Sequence, residues 1–202
     1  MKIKFKVFII VGVIGVLFFA LFQDDFYRYR MMSRYNITKE HFEEIDEKDK
    51  VALNSTGSLL KDIVVCDLGN KKTSLKKMSN GHKIEIVNFS NSKCFYCIED
   101  ILFFINKYKK EINLENVVLL GSFQNQRDHM MFKRGNNINF KIYNIYNQKL
   151  ELYVETLNHP YIIITDSFLK IKSVFIPAKE LPKRTDDYFR FCIKKRLFEE
   201  IK

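Results

Sequence analysis

Cys94 and Cys97 stand three apart in Phe89–Asp100, "FSNSKCFYCIED". Two sulfurs at that spacing fit a redox pair, half of a metal site, or two unrelated thiols. In a redox pair one sulfur attacks a disulfide and the second resolves the mixed disulfide within the same molecule. A structural zinc site takes four ligands. The sequence has no second C-x-x-C and no H-x-x-x-H, and Cys66, Cys192, His82 and His159 are scattered along it. A fixed structural disulfide across two intervening residues on a helix is strained and easily reduced.

The elements on either side decide between these uses. Lys83–Phe89, "KIEIVNF", alternates and is β-branched, so it reads as a strand. Ile98, Ile101, Leu102, Ile105, Tyr108 and Ile112 recur at helical spacing, so Ile98–Asn113 reads as an amphipathic helix. A polar loop joins the two, and the helix begins at about Cys94 with Ser92 as its cap. A thiol in a first helical turn lies among free N–H groups and a partial positive charge. Lys93 adds a cation beside it. Both favour the thiolate, so Cys94 is expected to ionise below the usual value of about 8.5. Cys66 and Cys192 read as buried apolar residues.

The rest of the chain supplies more strands and helices. Asp62–Leu68, Asn116–Phe123, Phe140–Tyr146, Tyr161–Thr165 and Ile171–Ile176 read as strands, the last two as a hairpin turned at "DSFLK". Asn125–Arg134, with Met130 and Met131 facing inward, Lys149–Leu157 and Arg184–Lys202 read as helical. Strands alternating with helices imply an α/β fold, with a mostly parallel central sheet covered on both faces. "NITKEHFEEIDEKDK" reads as a short helix capped by Asn36 or Thr38 in a solvated spacer.

Ahead of that spacer, Val7–Phe22 is uninterrupted apolar sequence, preceded by Lys2, Lys4 and Lys6. A membrane span takes about 20 apolar residues. Phe5 lengthens the run, and Lys6 can reach the headgroups. Basic residues before the run favour a cytoplasmic N-terminus and export of the remainder. No small-x-small cleavage site stands near "FFALFQDD", so an uncleaved anchor is favoured over a cleaved signal. The expected organisation is an anchor at 1–22, a polar juxtamembrane linker at 23–58 and a folded domain at 59–202. Either form of the N-terminus puts the domain outside the cytoplasm, where disulfides persist.

Composition agrees with one well-filled domain. The chain has 202 residues, 47% of them hydrophobic, with 19 Phe, 10 Tyr and no Trp. The formal net charge of +10 is spread without an Arg-rich block. Such a charge favours acidic partners or anionic headgroups and argues against nucleic acid as a partner.

From Asp62 onward the chain resembles the thioredoxin superfamily. It is most similar to the membrane-anchored thiol–disulfide oxidoreductases of the bacterial envelope, the redoxin-type branch near the peroxiredoxins. The resemblance is carried by "DIVVCDL", "KTSLKKMSNG", "KIEIVNF", "KCFYC", "NVVLLGSF" and "HPYIIITDSFLKIKSVFI". It implies a thioredoxin-like fold, a mixed central sheet flanked by helices, behind a single N-terminal transmembrane helix. It implies Cys94 as nucleophile, Cys97 as resolving thiol and Pro160 as a cis-proline beside them. The His159 backbone would then face an incoming peptide. Asn88 occupies the place of thioredoxin's buried acid, and Asp100 matches an acidic residue of the envelope branch. Lys93 replaces the family's usual Trp, Phe95-Tyr96 stands between the cysteines, and His159 precedes the proline in place of Thr or Val. These are redox-tuning or substrate-facing positions, and a protonated His159 would stabilise the thiolate. The implied partners are exported proteins with thiols or disulfides, a redox partner protein, and the membrane through residues 5–22. No cofactor or metal is implied beyond the cysteines. Two alternatives stay open. One is a non-catalytic binding or scaffold protein on the same fold. The other is a peroxide-reducing enzyme, which expects a Thr preceded by Pro four residues before the cysteine, where Ser90 and Phe89 stand.

Overall fold

The computed structural model describes residues 25–79, 82–89, 95–146 and 148–195, without the side chains of residues 95 and 96. The chain divides into two compact units, one up to Ile45 and one from Asp46 to Lys202. In the first, residues 25–35 form helix α1. There Tyr27 meets Phe42 edge-on at 6.5 Å, and the Arg28 guanidinium lies over the Phe42 ring. Helix α2, Lys39–Ser55, starts after Thr38, whose hydroxyl accepts the His41 N–H at 3.4 Å.

The second unit is built on a seven-stranded sheet. Its strands are β1 (Val64–Cys66), β2 (Lys72–Ser74), β3 (Glu85–Asn88), β4 (Val117–Gly121), β5 (Lys141–Asn144), β6 (Tyr161–Thr165) and β7 (Ile171–Phe175). They lie in the order β2-β1-β5-β4-β3-β6-β7. Its helices after α2 are α3 (Leu75–Ser79), α4 (Phe95–Lys107), α5 (Gln126–Gly135) and α6 (Pro182–Lys194). β3, β4 and β6 are buried along their whole length, as befits a sheet covered on both faces.

The pleat sorts the core into two layers. Ile86, Val118, Leu120 and Ile163 point to one side, where Val51 and Ala52 of α2 and Leu75 of α3 cover them. Val87, Leu119, Ile142 and Ile162 point to the other, under Ile98, Ile101 and Ile105 of α4 and Phe189 of α6. Phe189 stacks with Phe104 and Tyr108, which fixes α6 against α4. Arg184, at the start of α6, donates to the Ile176 carbonyl at 2.8 Å, pairs with Asp49 of α2 and lies over Phe175.

Three expectations change. The sheet is mixed and the β6–β7 hairpin is antiparallel, as expected, but only β3–β4 and β4–β5 pair in parallel and the other flank is antiparallel too. The cause is local, because both flanks are tight hairpins turned by an aspartate. Asp67 Oδ1 accepts the N–H groups of Gly69 and Lys71, and Asp166 Oδ1 accepts those of Phe168 and Lys170. Asn70 and Leu169 take positive φ at matching places in the two turns. Secondly, residues 46–58 are not all spacer, since Val51 and Ala52 belong to the core. Thirdly, Lys149–Leu157 forms only a short 3-10 turn, Tyr153–Leu157.

Among the described residues no helix is long and apolar enough to cross a membrane. The apolar run Val7–Phe22 lies outside the described residues.

Candidate functional site

β3 ends at Asn88 and α4 opens at Phe95, so strand and helix flank the cysteine loop as its sequence implied. Lys93 and Cys94 lie outside the described residues, as does Ser92. Phe95 and Tyr96 enter only as the first residues of α4. Cys97 sits in the first turn of α4, wholly shielded from solvent. Cys66 and Cys192 are free and buried, and burial pushes the Cys192 thiol up to about 12. A thiol that reluctant to ionise is a poor nucleophile.

Asp100 follows Cys97 by three residues, the spacing at which helical side chains become neighbours. It is half-buried. Desolvation, helped by the charge of Glu99, raises its carboxyl above the ordinary range. A carboxyl shifted in that direction exchanges protons nearer to neutral pH.

Asn88 is buried and paired in register with Tyr161 of β6. Its Nδ2 donates to the Tyr161 hydroxyl at 2.6 Å. Pro160 immediately precedes Tyr161, so it adjoins the end of β3 at Asn88. Pro160 is buried and His159 half-buried. The His159–Pro160 peptide is trans, as are all others among the described residues. This corrects the expected cis-proline. Trans is the preferred isomer of an X-Pro bond, and the chain reverses at Asn158, which takes φ 53.

An aromatic group that sequence reading missed secures the root of the loop. Phe89 stacks on Phe132 at 4.8 Å and meets Phe123 edge-on at 5.9 Å. Phe123 stacks on His129 at 4.5 Å. Gly121 makes the space, because a Cβ there would lie 2.5 Å from Phe89 Cζ and 2.7 Å from Phe123. Asn144 ties Phe123 down, accepting its N–H at 3.1 Å and donating to its carbonyl at 2.9 Å. The inward residue of α5 is therefore His129, while Met131 is 60% exposed. The Asn125 cap, which accepts from Asp128 N–H, sets that phase. Burial lowers the His129 pKa. Phe89, before the cysteine loop, and the run of Gly121 and Phe123 were the only signals for this group in the sequence.

Among the described residues no three His, Cys, Asp or Glu side chains gather as metal ligands. The arrangement offers a buried sulfur at a helix start, a carboxyl raised above its ordinary range one turn on, and a hydrogen-bonded amide at the strand end.

No protein-family model and no curated protein matches the sequence. Solved structures do resemble the fold. A putative electron transfer protein from Aquifex aeolicus is 14% identical, with a TM-score of 0.50 over 67% of this chain and 93% of that one. A peroxidoxin from Mycobacterium tuberculosis is 11% identical, with a TM-score of 0.50 over 70% and 97%. A thiol:disulfide interchange protein from a Bacteroides species is 17% identical, with a TM-score of 0.48 over 67% and 90%. At such identities the likeness is one of fold: this chain has a thioredoxin-like fold.

Proposed function

We propose that the protein carries out thiol–disulfide exchange on exported proteins through Cys94 and Cys97. The Cys94 thiolate attacks a substrate disulfide, forming a mixed disulfide and releasing one substrate thiolate. Cys97 then gives up its proton and attacks the Cys94 sulfur. The Cys94–Cys97 disulfide forms, the second substrate thiolate leaves, and two electrons have passed to the substrate. The reverse sequence oxidises a substrate dithiol. Asp100 takes the Cys97 proton in the forward direction and returns it in the reverse.

The observation that most supports this reading is the shielded Cys97 in the first turn of α4, with Asp100 three residues on. Asn88 at the end of β3, paired with Tyr161 next to Pro160, adds to it. The cysteines are the redox centre, so the reaction needs no cofactor. Residues 5–22 anchor the chain in a membrane, with the domain on the extracytoplasmic side and a redox partner protein resetting the pair. Lys93, Phe95, Tyr96 and His159 are then the redox-tuning or substrate-facing positions.

The full chain in detergent, equilibrated with glutathione buffers of graded potential, tests this. Alkylation and mass analysis should show Cys94 and Cys97 passing together between dithiol and disulfide. Two thiols that alkylate independently at every potential would overturn the reading.

A further inference from the structure

Helix α5 is held to the sheet by very little. Among its described residues, His129 is the one that is buried. Met130 and Phe132 are half-buried, and Met131 is exposed. Gln126 adds an exposed bond to the Leu68 carbonyl. A helix of this length is marginal by itself in water, so its docking depends on the buried contact. That contact is an imidazole, 2% exposed and stacked on Phe123 at 4.5 Å.

The site suits only the neutral ring. A neutral imidazole has one N–H and one bare nitrogen. The backbone of Ile142 in β5 takes the N–H. Nε2 is buried and has no hydrogen-bond partner. A proton placed there would bring a charge and a donor into a site with no acceptor in reach, and burying such a group is costly. Desolvation accordingly lowers the His129 pKa, and the charge of Lys133 one turn on adds to this. The Ile142 bond and the charge of Asp67, in the β1–β2 turn, act the other way. From β5 the titratable group beside Asp67 is Tyr143, whose raised hydroxyl pKa keeps it neutral at acid pH. β4 and Ser122–Phe123 bring no charged side chain.

We propose that His129 is an acid-sensitive latch: a proton on Nε2 frees α5 from the sheet and bares the ring cluster of Phe89, Phe123 and Phe132. The inference does not depend on the exchange reading. With α5 released, the ring stands in water and ionises at about 6.5. The docked ring takes its proton at lower pH. Docking is therefore at full strength above about 6.5 and weakens as pH falls below it, by up to about tenfold per pH unit for one proton.

Hydrogen–deuterium exchange of the full chain in detergent, corrected for the intrinsic effect of pH and read by mass spectrometry, reports local opening. From pH 7 to pH 5 the protection of α5 should fall about fivefold or more, while that of β3 and β4 holds. His129→Gln keeps an N–H for Ile142, and His129→Phe keeps the stack on Phe123; neither takes a proton. In both variants α5 should be equally protected at the two pH values. A purely structural role would weaken α5 in the variants and leave the wild type without a pH slope. A wild-type α5 equally protected at pH 7 and pH 5 overturns the latch, as does a variant that keeps the wild-type slope. Proton exchange at the wild-type ring Cε1 covers variants that fail to fold. A His129 that titrates like a solvent-exposed histidine also overturns the proposal.

Discussion

Glu85 opens β3 between Ile84, Ile86 and Val87, all buried, and its two carboxylate oxygens have no partner. Desolvation raises its pKa from 4.5 to about 8. Tyr188 and Cys192 of α6 are the titratable groups that feel its charge. The folded chain thus holds a proton that the unfolded chain has released above 4.5, so stability falls as pH rises from about 4.5 to about 8. Glu85→Gln should flatten that slope and gain on the order of a few kcal/mol at pH 8–9, read by urea unfolding at several pH values. An unchanged slope would contradict the assignment. Asp100→Asn should slow disulfide formation near neutral pH about tenfold or more. It should also remove the rise in rate seen as a raised carboxyl deprotonates, which stopped-flow measurements across pH would show. Asn88 and Asp100 were singled out by the family resemblance and not by any pattern in the sequence itself. Sequence alone did not place Glu85, because a Glu in the alternating "KIEIVNF" reads as solvent-facing until helices cover both sides of the sheet. Tyr161 was invisible as a partner for Asn88, being 73 residues away.

At the level of elements, β6 runs from Tyr161 to Thr165 as "YIIIT" implied. Asp62–Leu68 shrinks to Val64–Cys66, because β1 meets β5 only at Cys66 and Asn144. Pairing direction was not legible, since strand patterns look alike in parallel and antiparallel neighbours once both faces are buried. The phase of α5 was misread for a similar reason. Met130 and Met131 are the apolar residues, but the Asn125 cap turns His129 inward against Phe123. Gly121 is the narrowest point in this layer. Gly121→Ala should destabilise the domain by about 1–3 kcal/mol, because the methyl must displace Phe89 or Phe123 in a filled space. Urea unfolding measures it, and an unaltered midpoint would mean the rings move aside freely. Since Phe89 precedes the cysteine loop, the same variant should also change the exchange rate.

For the molecule as a whole, the sequence gives a basic, apolar N-terminus ahead of a thioredoxin-like domain. The proposed anchor has a direct consequence: the full chain should stay with membranes through alkaline carbonate washing. Its release into the wash would contradict anchoring. The fold itself was legible because its parts are local: a strand, a polar loop with two cysteines, and a helix, followed by a hairpin. The sheet order depends on contacts between distant segments. The central claim remains exchange at the cysteine pair, and trapping is its most direct measurement. Full-length Cys97→Ala, expressed in its own membrane and quenched in acid, should carry mixed disulfides through Cys94. These should vanish on reduction and in the Cys94→Ala, Cys97→Ala double variant. A single variant that captures no partner, and whose Cys94 thiol ionises no more readily than a free cysteine, would contradict the account.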